Sequence, residues 1–216
     1  MGLSLESMAI EMPAVFGHPN RVAFRGVLTL VDVASDRAPS GARGHRVMLT
    51  RKAAEEAIPS LLGMALDYSP RFDTHDTRRK IGVITRAEIV GHEITVGGFL
   101  YGRDFPEIVA EIGKTVVSHQ SSVVRKDDGG RGPFDSRSRE VRATRSYAGE
   151  NARPPLPNAG EGARATQALG MSYEIADAVV EDIKANVWVL NRVTFTGAAV
   201  LRRDKAAYRA TWIELG

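Results

Sequence analysis

The stretch from Ile81 to Gly102, IGVITRAEIVGHEITVGGFLYG, constrains the fold of this chain more than any other segment. Apolar or small residues recur in it with a period of two on both sides of Gly91-His92. They are Ile81, Val83, Ala87 and Ile89 before this break, and Ile94, Val96, Gly98 and Leu100 after it. Such alternation is typical of strands that bury one face, and a glycine between two such runs favours a turn. The stretch therefore predicts a β-hairpin with one face in the core.

Strand composition recurs in five other segments of the chain. These are RVAFRGVLTLVDV, HRVMLT, MSYEIADAVV, NVWVLNRVTFTGAAVL and ATWIEL, all rich in β-branched and aromatic residues. Two helices are expected beside them: Thr50 can cap one through its hydroxyl, and Asp104 with Glu107 three residues later resembles a capping box. The predicted fold class is mainly β with flanking helices (α+β), as a mostly antiparallel β-barrel or curled sheet.

The composition divides the chain into three parts. Residues 1–20 are predicted to form a flexible N-terminal arm. Residues 115–168 are rich in Gly, Ser, Arg and Pro with few large apolar side chains. So little burial cannot offset the entropy of ordering such a segment, so we expect a disordered insertion. Residues 21–216 are otherwise predicted to be a single domain.

The positive charge of the chain lies in the insertion. Between Ser118 and Thr166 there are nine Lys or Arg and six Asp or Glu, which accounts for the whole formal net charge of +3. A nucleic-acid-binding face would place Lys and Arg on a regular element with aromatic residues between them, and no segment does so. We therefore do not expect nucleic acid to be a partner.

Several classes of protein are excluded by composition. Cysteine is absent, which excludes disulfides, thiolate metal sites and a cysteine nucleophile. The longest apolar runs, such as VWVL, are far shorter than the roughly 20 residues that span a bilayer. The N-terminal sequence MGLSLESMAIEMP lacks the pattern of a signal peptide. We expect no membrane association and a location inside a cell or a virion.

Ser172, in LGMSYEIADAVV, is a hydroxyl between apolar residues where an irregular segment gives way to a predicted strand. Serines in such places most often bond to a backbone carbonyl. A serine becomes a nucleophile only where a neighbouring base takes its proton. Of the five histidines, His75 is the best candidate base, because it precedes the predicted hairpin at the end of a rigid element, while a solvated surface histidine is the alternative.

Metal and cofactor sites are not predicted. His75 with Asp73 and Asp76 could supply three metal ligands, but their adjacent spacing on a loop follows no known ligand pattern. No glycine-rich phosphate loop occurs either. No cofactor is therefore expected.

Three features together resemble the prohead, or capsid maturation, proteases of tailed bacteriophages, which resemble the herpesvirus assemblins. They are a histidine before the hairpin, the serine in LGMSYEI, and FTGAAVL near the C-terminus. The resemblance implies an assemblin-like β-barrel with flanking helices. It covers about residues 21–114 and 169–213.

The resemblance also implies chemistry. Ser172 matches the nucleophile and His75 the general base, with backbone N–H groups holding the oxyanion. The third catalytic residue departs from the family pattern, because NRVTFTG offers neither the histidine nor the acid expected there. Either the triad is completed elsewhere or the site is a Ser/His dyad. Glu174, on the same strand face as Ser172, is the candidate orienting residue, and Asp76 is the alternative. The assemblins also use an arginine pair at the oxyanion site, for which Arg202-Arg203 are candidates.

The function implied by the resemblance is serine endopeptidase activity inside the phage procapsid, within the host cytoplasm. Its substrates would be the scaffold protein, the major capsid protein and the chain itself, and the active species would be a homodimer. The alternative is a noncatalytic capsid-assembly or scaffold protein of the same fold, in which Ser172 is structural.

Overall fold

A computed structural model describes residues 8–13, 16–123 and 168–216, and within them the protein is mainly β. The strands are β1 (Met8–Ala9), β2 (Arg21–Leu30), β3 (Arg46–Leu49), β4 (Ala65–Tyr68), β5 (Lys80–Val90), β6 (Glu93–Tyr101), β7 (Leu169–Val180), β8 (Val187–Arg202) and β9 (Trp212–Leu215). The helices are α1 (Arg51–Ala57), which continues into a 3-10 turn (Ile58–Leu61), and α2 (Pro106–Val123).

The strands form one sheet that curls into half of a barrel. Its order is β3-β8-β4-β5-β6-β2-β9, with β1 paired to β5 and β7 paired to β8. β3 and β4 run parallel to β8. The other strand pairs formed by the described residues are antiparallel. The prediction of a mainly β fold with flanking helices is confirmed.

The long strand β8 organises the site described below, because three strands pair with it. Its first part pairs with β3, its later part with β4, and β7 runs along its other edge. Alternate residues of a strand face opposite sides of a sheet, so β7 and β8 each contribute to two surfaces. Met171 and Ala198 are buried in the main core, whereas Ser172 and Ala199 belong to the opposite face.

Both helices pack as their sequences predict, but only α1 begins as predicted. α2 begins at Pro106 without the predicted capping box, because the Asp104 carboxylate accepts the side-chain N–H of Asn20 and the Glu107 carboxylate accepts the hydroxyl of Tyr68. The Thr50 hydroxyl accepts the N–H of Ala53 at 3.2 Å and caps α1. On α2, Ile108 and Ile112 lie one turn apart, and both are buried in the core. Neither helix in the described part of the chain combines the length and the hydropathy that crossing a bilayer requires.

The predicted hairpin is formed by β5 and β6, but its first strand differs from the simple alternation. In β6 all four predicted residues are buried. In β5 the pairing shifts between Ile84 and Arg86, so Ile84 is buried and Val83 lies on the opposite face from Ala87. A β-bulge adds one residue to a strand and moves the following side chains to the other face. The prediction that Val83 and Ala87 share a face was therefore wrong.

The boundaries of the predicted arm and insertion also differ in the structure. Within the arm, β1 pairs with β5, and the N–H of Ile10 donates to the carbonyl of Thr85 at 2.7 Å. The insertion was predicted to start at residue 115, but α2 continues to Val123, since no glycine or proline interrupts residues 114–123. Residues 124–167 of the predicted insertion lie outside the described residues.

The close approach of β5 and β6 gives a prediction for stability. A Cβ atom at Gly98 would overlap the carbonyl oxygen of Val83, whereas a Cβ at the neighbouring Gly97 would lie 3.4 Å from the nearest atom, the carbonyl oxygen of Phe24. We expect Gly98→Ala to lower the free energy of unfolding by about 1–3 kcal/mol, as other overpacking changes do. Gly97→Ala should cost less than about 0.5 kcal/mol. Urea denaturation of both variants measures the difference, and equal losses would contradict this account.

Candidate active site

Ser172 lies on β7 in a row that crosses three strands. It pairs with Ala199 of β8, and Ala199 also pairs with Asp67 of β4. Laterally paired residues project from the same face of a sheet, so Ser172, Ala199 and Asp67 share the face opposite the main core. The middle residue of this row is the smallest, which leaves space above it for a side chain from elsewhere.

His75 approaches this face from the connection between β4 and β5. The connection folds back on itself, because the hydroxyl of Ser69 accepts the N–H of Asp73 at 3.2 Å and the carbonyl of Ser69 accepts the N–H of Phe72. The carbonyl of Phe72 in turn accepts the N–H of Arg202 at 2.7 Å, which attaches the connection to the end of β8. The His75 side chain is consequently only 14% exposed.

Two carboxylates face the same nitrogen of His75. The Nδ1 atom lies 3.6 Å from Oδ1 of Asp67 and 3.8 Å from Oε1 of Glu174. Both distances exceed those of a good hydrogen bond, and both ring nitrogens are buried without a hydrogen-bond partner among the described residues. The Asp67 side chain is fully buried, whereas that of Glu174 is 47% exposed.

Asp67 is held in its ionised form. Burial alone would raise the pKa of its carboxyl, but His75, the backbone N–H of Asp76 and Lys80 together lower that pKa below its usual range. The N–H of Asp76 donates to Oδ1 of Asp67 at 3.1 Å, and Nζ of Lys80 lies 3.4 Å from Oδ2. A buried carboxylate with these partners is a fixed negative charge beside the imidazole.

Glu174 reaches His75 across a glycine. Glu174 pairs with Gly197 of β8, and a Cβ atom at Gly197 would lie 2.8 Å from Oε2 of Glu174. The Glu174 side chain therefore lies over the backbone of β8 in the direction of β4. The small residues of the FTGAAVL segment make this possible, since Gly197 and Ala199 both belong to the site face.

The sequence-predicted residues are thus only partly brought together. The structure places Glu174 beside His75, as the shared strand face with Ser172 suggested. Asp76 is the sequence-predicted alternative to Glu174 as the orienting residue. Its carboxylate instead binds Arg78 at 3.1 Å and Arg79 at 3.5 Å, and the bonds to Arg78 lower the pKa of Asp76. Asp76 contributes its backbone N–H to Asp67, not its carboxylate to His75.

Asp67 is not predicted as a site residue from the sequence. None of the segments with strand composition includes residues 65–68, although these residues form β4 (Ala65–Tyr68). The signal that could have found it is a carboxylate between Leu66 and Tyr68, two large apolar residues that both prove to be buried. A charge in a short apolar strand is expected to be paired, and His75 follows it by eight residues.

The two candidate arginines differ in their surroundings. Arg202 forms an ion pair with Asp204, with Nε 3.1 Å from Oδ1. Arg203 has a buried Nε with no hydrogen-bond partner among the described residues, and burial lowers the pKa of its guanidinium. Its Cα lies 3.4 Å from the position of a Cβ at Gly170, which is two residues before Ser172 on the same face of β7.

The arrangement is suited to proton transfer. No group of three or more metal-binding side chains occurs in residues 8–13, 16–123 and 168–216. A histidine between a buried carboxylate and a strand that carries a serine can accept a proton at the nitrogen that the carboxylate does not face. No protein family, curated protein or solved structure matches this chain.

Proposed function

We propose that this chain is a serine endopeptidase of the phage prohead type, with Ser172 as nucleophile, His75 as general base and Asp67 as the residue that orients His75. The observation that carries the proposal is the row Ser172–Ala199–Asp67, with His75 beside its acidic end. Neighbouring strands lie roughly 4.8 Å apart, so the Cα atoms of Ser172 and Asp67 are separated by about 10 Å. The imidazole of His75, in contact with Asp67 on one side and Ser172 on the other, would fill the space between these two residues.

The charges favour this direction of proton transfer. Asp67 is ionised and faces Nδ1 of His75, so the neutral ring would carry its proton on Nδ1 and leave Nε2 free to act as a base. The 3.6 Å distance would shorten when substrate binds, as catalytic hydrogen bonds are often long without substrate. Asp67 would then stabilise the imidazolium that forms.

The proposed reaction follows the same proton transfers and bond changes as in other serine proteases. Nε2 of His75 takes the proton of Ser172 while Oγ bonds to the scissile carbonyl carbon. The same proton passes to the leaving amine as the C–N bond breaks, and water then hydrolyses the acyl-enzyme. The guanidinium of Arg203, whose buried Nε has no hydrogen-bond partner among the described residues, would add positive charge near the oxyanion, beside backbone N–H groups.

The proposed substrates follow from the resemblance and not from the geometry. They are the scaffold protein, the major capsid protein and the chain itself, all processed within the procapsid, with a homodimer as the active species. The noncatalytic alternative, a capsid-assembly protein of this fold, is favoured by one observation. Neither ring nitrogen of His75 forms a hydrogen bond, to Ser172 or to any other described residue.

Labelling with a fluorophosphonate distinguishes the two functions. An activated serine attacks the phosphorus of this reagent, whereas an ordinary serine hydroxyl does not. We expect the folded chain to acquire one adduct, located on Ser172 by mass spectrometry of its peptides. The His75→Ala variant should lose the adduct, and His92→Gln, whose histidine instead bonds the carbonyl of Val31, should retain it. Absence of an adduct on Ser172 in the folded protein would favour the noncatalytic function.

A further inference from the structure

A cavity lies on the outer face of β2 and β6, under residues 12–13 and 17–18 of the N-terminal segment. Its volume is about 320 Å³. Three sheet residues and three residues of the N-terminal segment account for most of its lining: Arg21, Ala23 and Phe99, and Met12, Pro13 and His18. It shares no residue with the candidate active site. Its volume falls at the small end of the range for ligand pockets.

Arg21 is the charged residue of this cavity, and its guanidinium forms no ion pair within the part of the chain that the structure describes. Its Cζ atom lies 4.1 Å from the centre of the Phe99 ring, in a cation–π contact. Its Nη2 atom is buried without a hydrogen-bond partner among the described residues. Among the described residues that line the cavity, none is acidic. The guanidinium of Arg21 therefore brings a positive charge to the cavity, and an anion bound there would be stabilised by that charge.

Arg25, on the same strand, is an arginine that does have an anionic partner. It lies four residues after Arg21, on the same face of β2, and pairs with the carboxylate of Glu214 on β9. That arginine is 71% exposed and needs no further partner. The unsatisfied guanidinium of Arg21 is therefore not a general property of this strand face.

His18 supplies a second polar group to the cavity. Its Nδ1 accepts the backbone N–H of Asn20 at 3.2 Å. In the neutral ring the proton is consequently on Nε2, so the free nitrogen is a donor and not an acceptor. The other wall residues, Met12, Pro13 and Phe99, are apolar. The cavity thus combines hydrogen-bond donors with an apolar wall.

We propose that this cavity binds a small carboxylate that carries an apolar body. The planar guanidinium fork of Arg21 matches a carboxylate, and the apolar walls would contact the rest of the ligand. Inorganic phosphate fits less well, because it is strongly hydrated and would leave the apolar walls without a partner. This binding site is independent of the proposed protease activity, and its loss would leave the labelling of Ser172 unchanged.

Titration of the full chain with benzoate, followed by NMR or calorimetry, tests the proposal. We expect saturable binding of benzoate, with much weaker binding of neutral benzamide and of inorganic phosphate. Arg21→Met should weaken benzoate binding about tenfold or more, since a hydrogen bond to a charged group is lost. The matched control Arg25→Gln should bind as the unchanged chain does.

A second variant keeps the test independent of how Arg21→Met folds. Ala23→Leu fills the floor of the cavity without removing a charge, and we expect it to weaken benzoate binding as well. The proposal is overturned if benzoate does not bind at millimolar concentration, or if it binds equally well to the Arg21→Met and Ala23→Leu variants. Phosphate binding as tight as that of benzoate would also overturn it, because the apolar walls would then contribute nothing.

Discussion

Replacing Ser172 with alanine is expected to abolish proteolytic processing by this chain. If Ser172 is the nucleophile, its removal leaves only transition-state binding and lowers the rate by about 10⁴- to 10⁶-fold. The fold should be unaffected, because the Ser172 hydroxyl forms no hydrogen bond with another described residue. Unchanged thermal unfolding would show that any loss of processing is chemical and not structural.

Co-expression with the cognate scaffold or capsid protein is the measurement. The unchanged chain should convert its partner to shorter products visible by gel electrophoresis and identified by mass spectrometry, and the Ser172→Ala chain should leave it intact. Thr196→Ala is a matched control, since it removes an exposed hydroxyl from β8 close to the same site. Equal processing by the unchanged and Ser172→Ala chains would refute the nucleophile assignment.

The elements that the sequence predicts well are those whose signals are local. The turn at Gly91-His92, the alternation in β6 and the cap at Thr50 each depend on residues within a few positions of one another. The bulge near Thr85 could not be anticipated in the same way. It is a property of how β5 pairs with β6, and the alternating sequence gives no sign of the extra residue.

The candidate site depends on contacts that no local pattern contains. Asp67 and Ser172 are more than one hundred residues apart and lie in one row only because β8 pairs with both β4 and β7. Strand alternation within β7 is a local signal, and it predicts that Glu174 shares a face with Ser172. The structure places Glu174 beside His75. To predict the role of Asp67, one would have to know that β4 pairs in parallel with β8, on the side opposite β7.

The two carboxylates near His75 differ in how strongly they can act on it. Asp67 is fully buried and fixed by the N–H of Asp76 and by Lys80, whereas Glu174 is about half exposed. Solvent and salt screen the charge of an exposed carboxylate, and an exposed side chain has more rotamers to choose from. The electrostatic effect on the imidazole should therefore come mainly from Asp67, with Glu174 in a minor role.

The Asp67→Asn and Glu174→Gln variants should consequently differ by a large factor in the rate at which Ser172 is labelled. We expect Asp67→Asn to slow fluorophosphonate labelling of Ser172 by about 10³- to 10⁴-fold, because the imidazole loses the charge that orients it and stabilises its protonated form. Glu174→Gln should slow labelling by less than about tenfold, as an exposed pair contributes little. The pH profile of the labelling rate should change in Asp67→Asn and keep its shape in Glu174→Gln.

Asparagine at position 67 retains an oxygen that can accept the N–H of Asp76, so thermal unfolding of the variant should still show a single cooperative transition. A merely structural Asp67 would lower the melting temperature without altering the pH profile of the folded fraction. The opposite order of effects, with Glu174→Gln the more damaging change, would make Glu174 the orienting residue. Asp67 would then be the buried counter-charge of Lys80, and Nε2 of His75 would remain the proton acceptor, since both carboxylates face Nδ1.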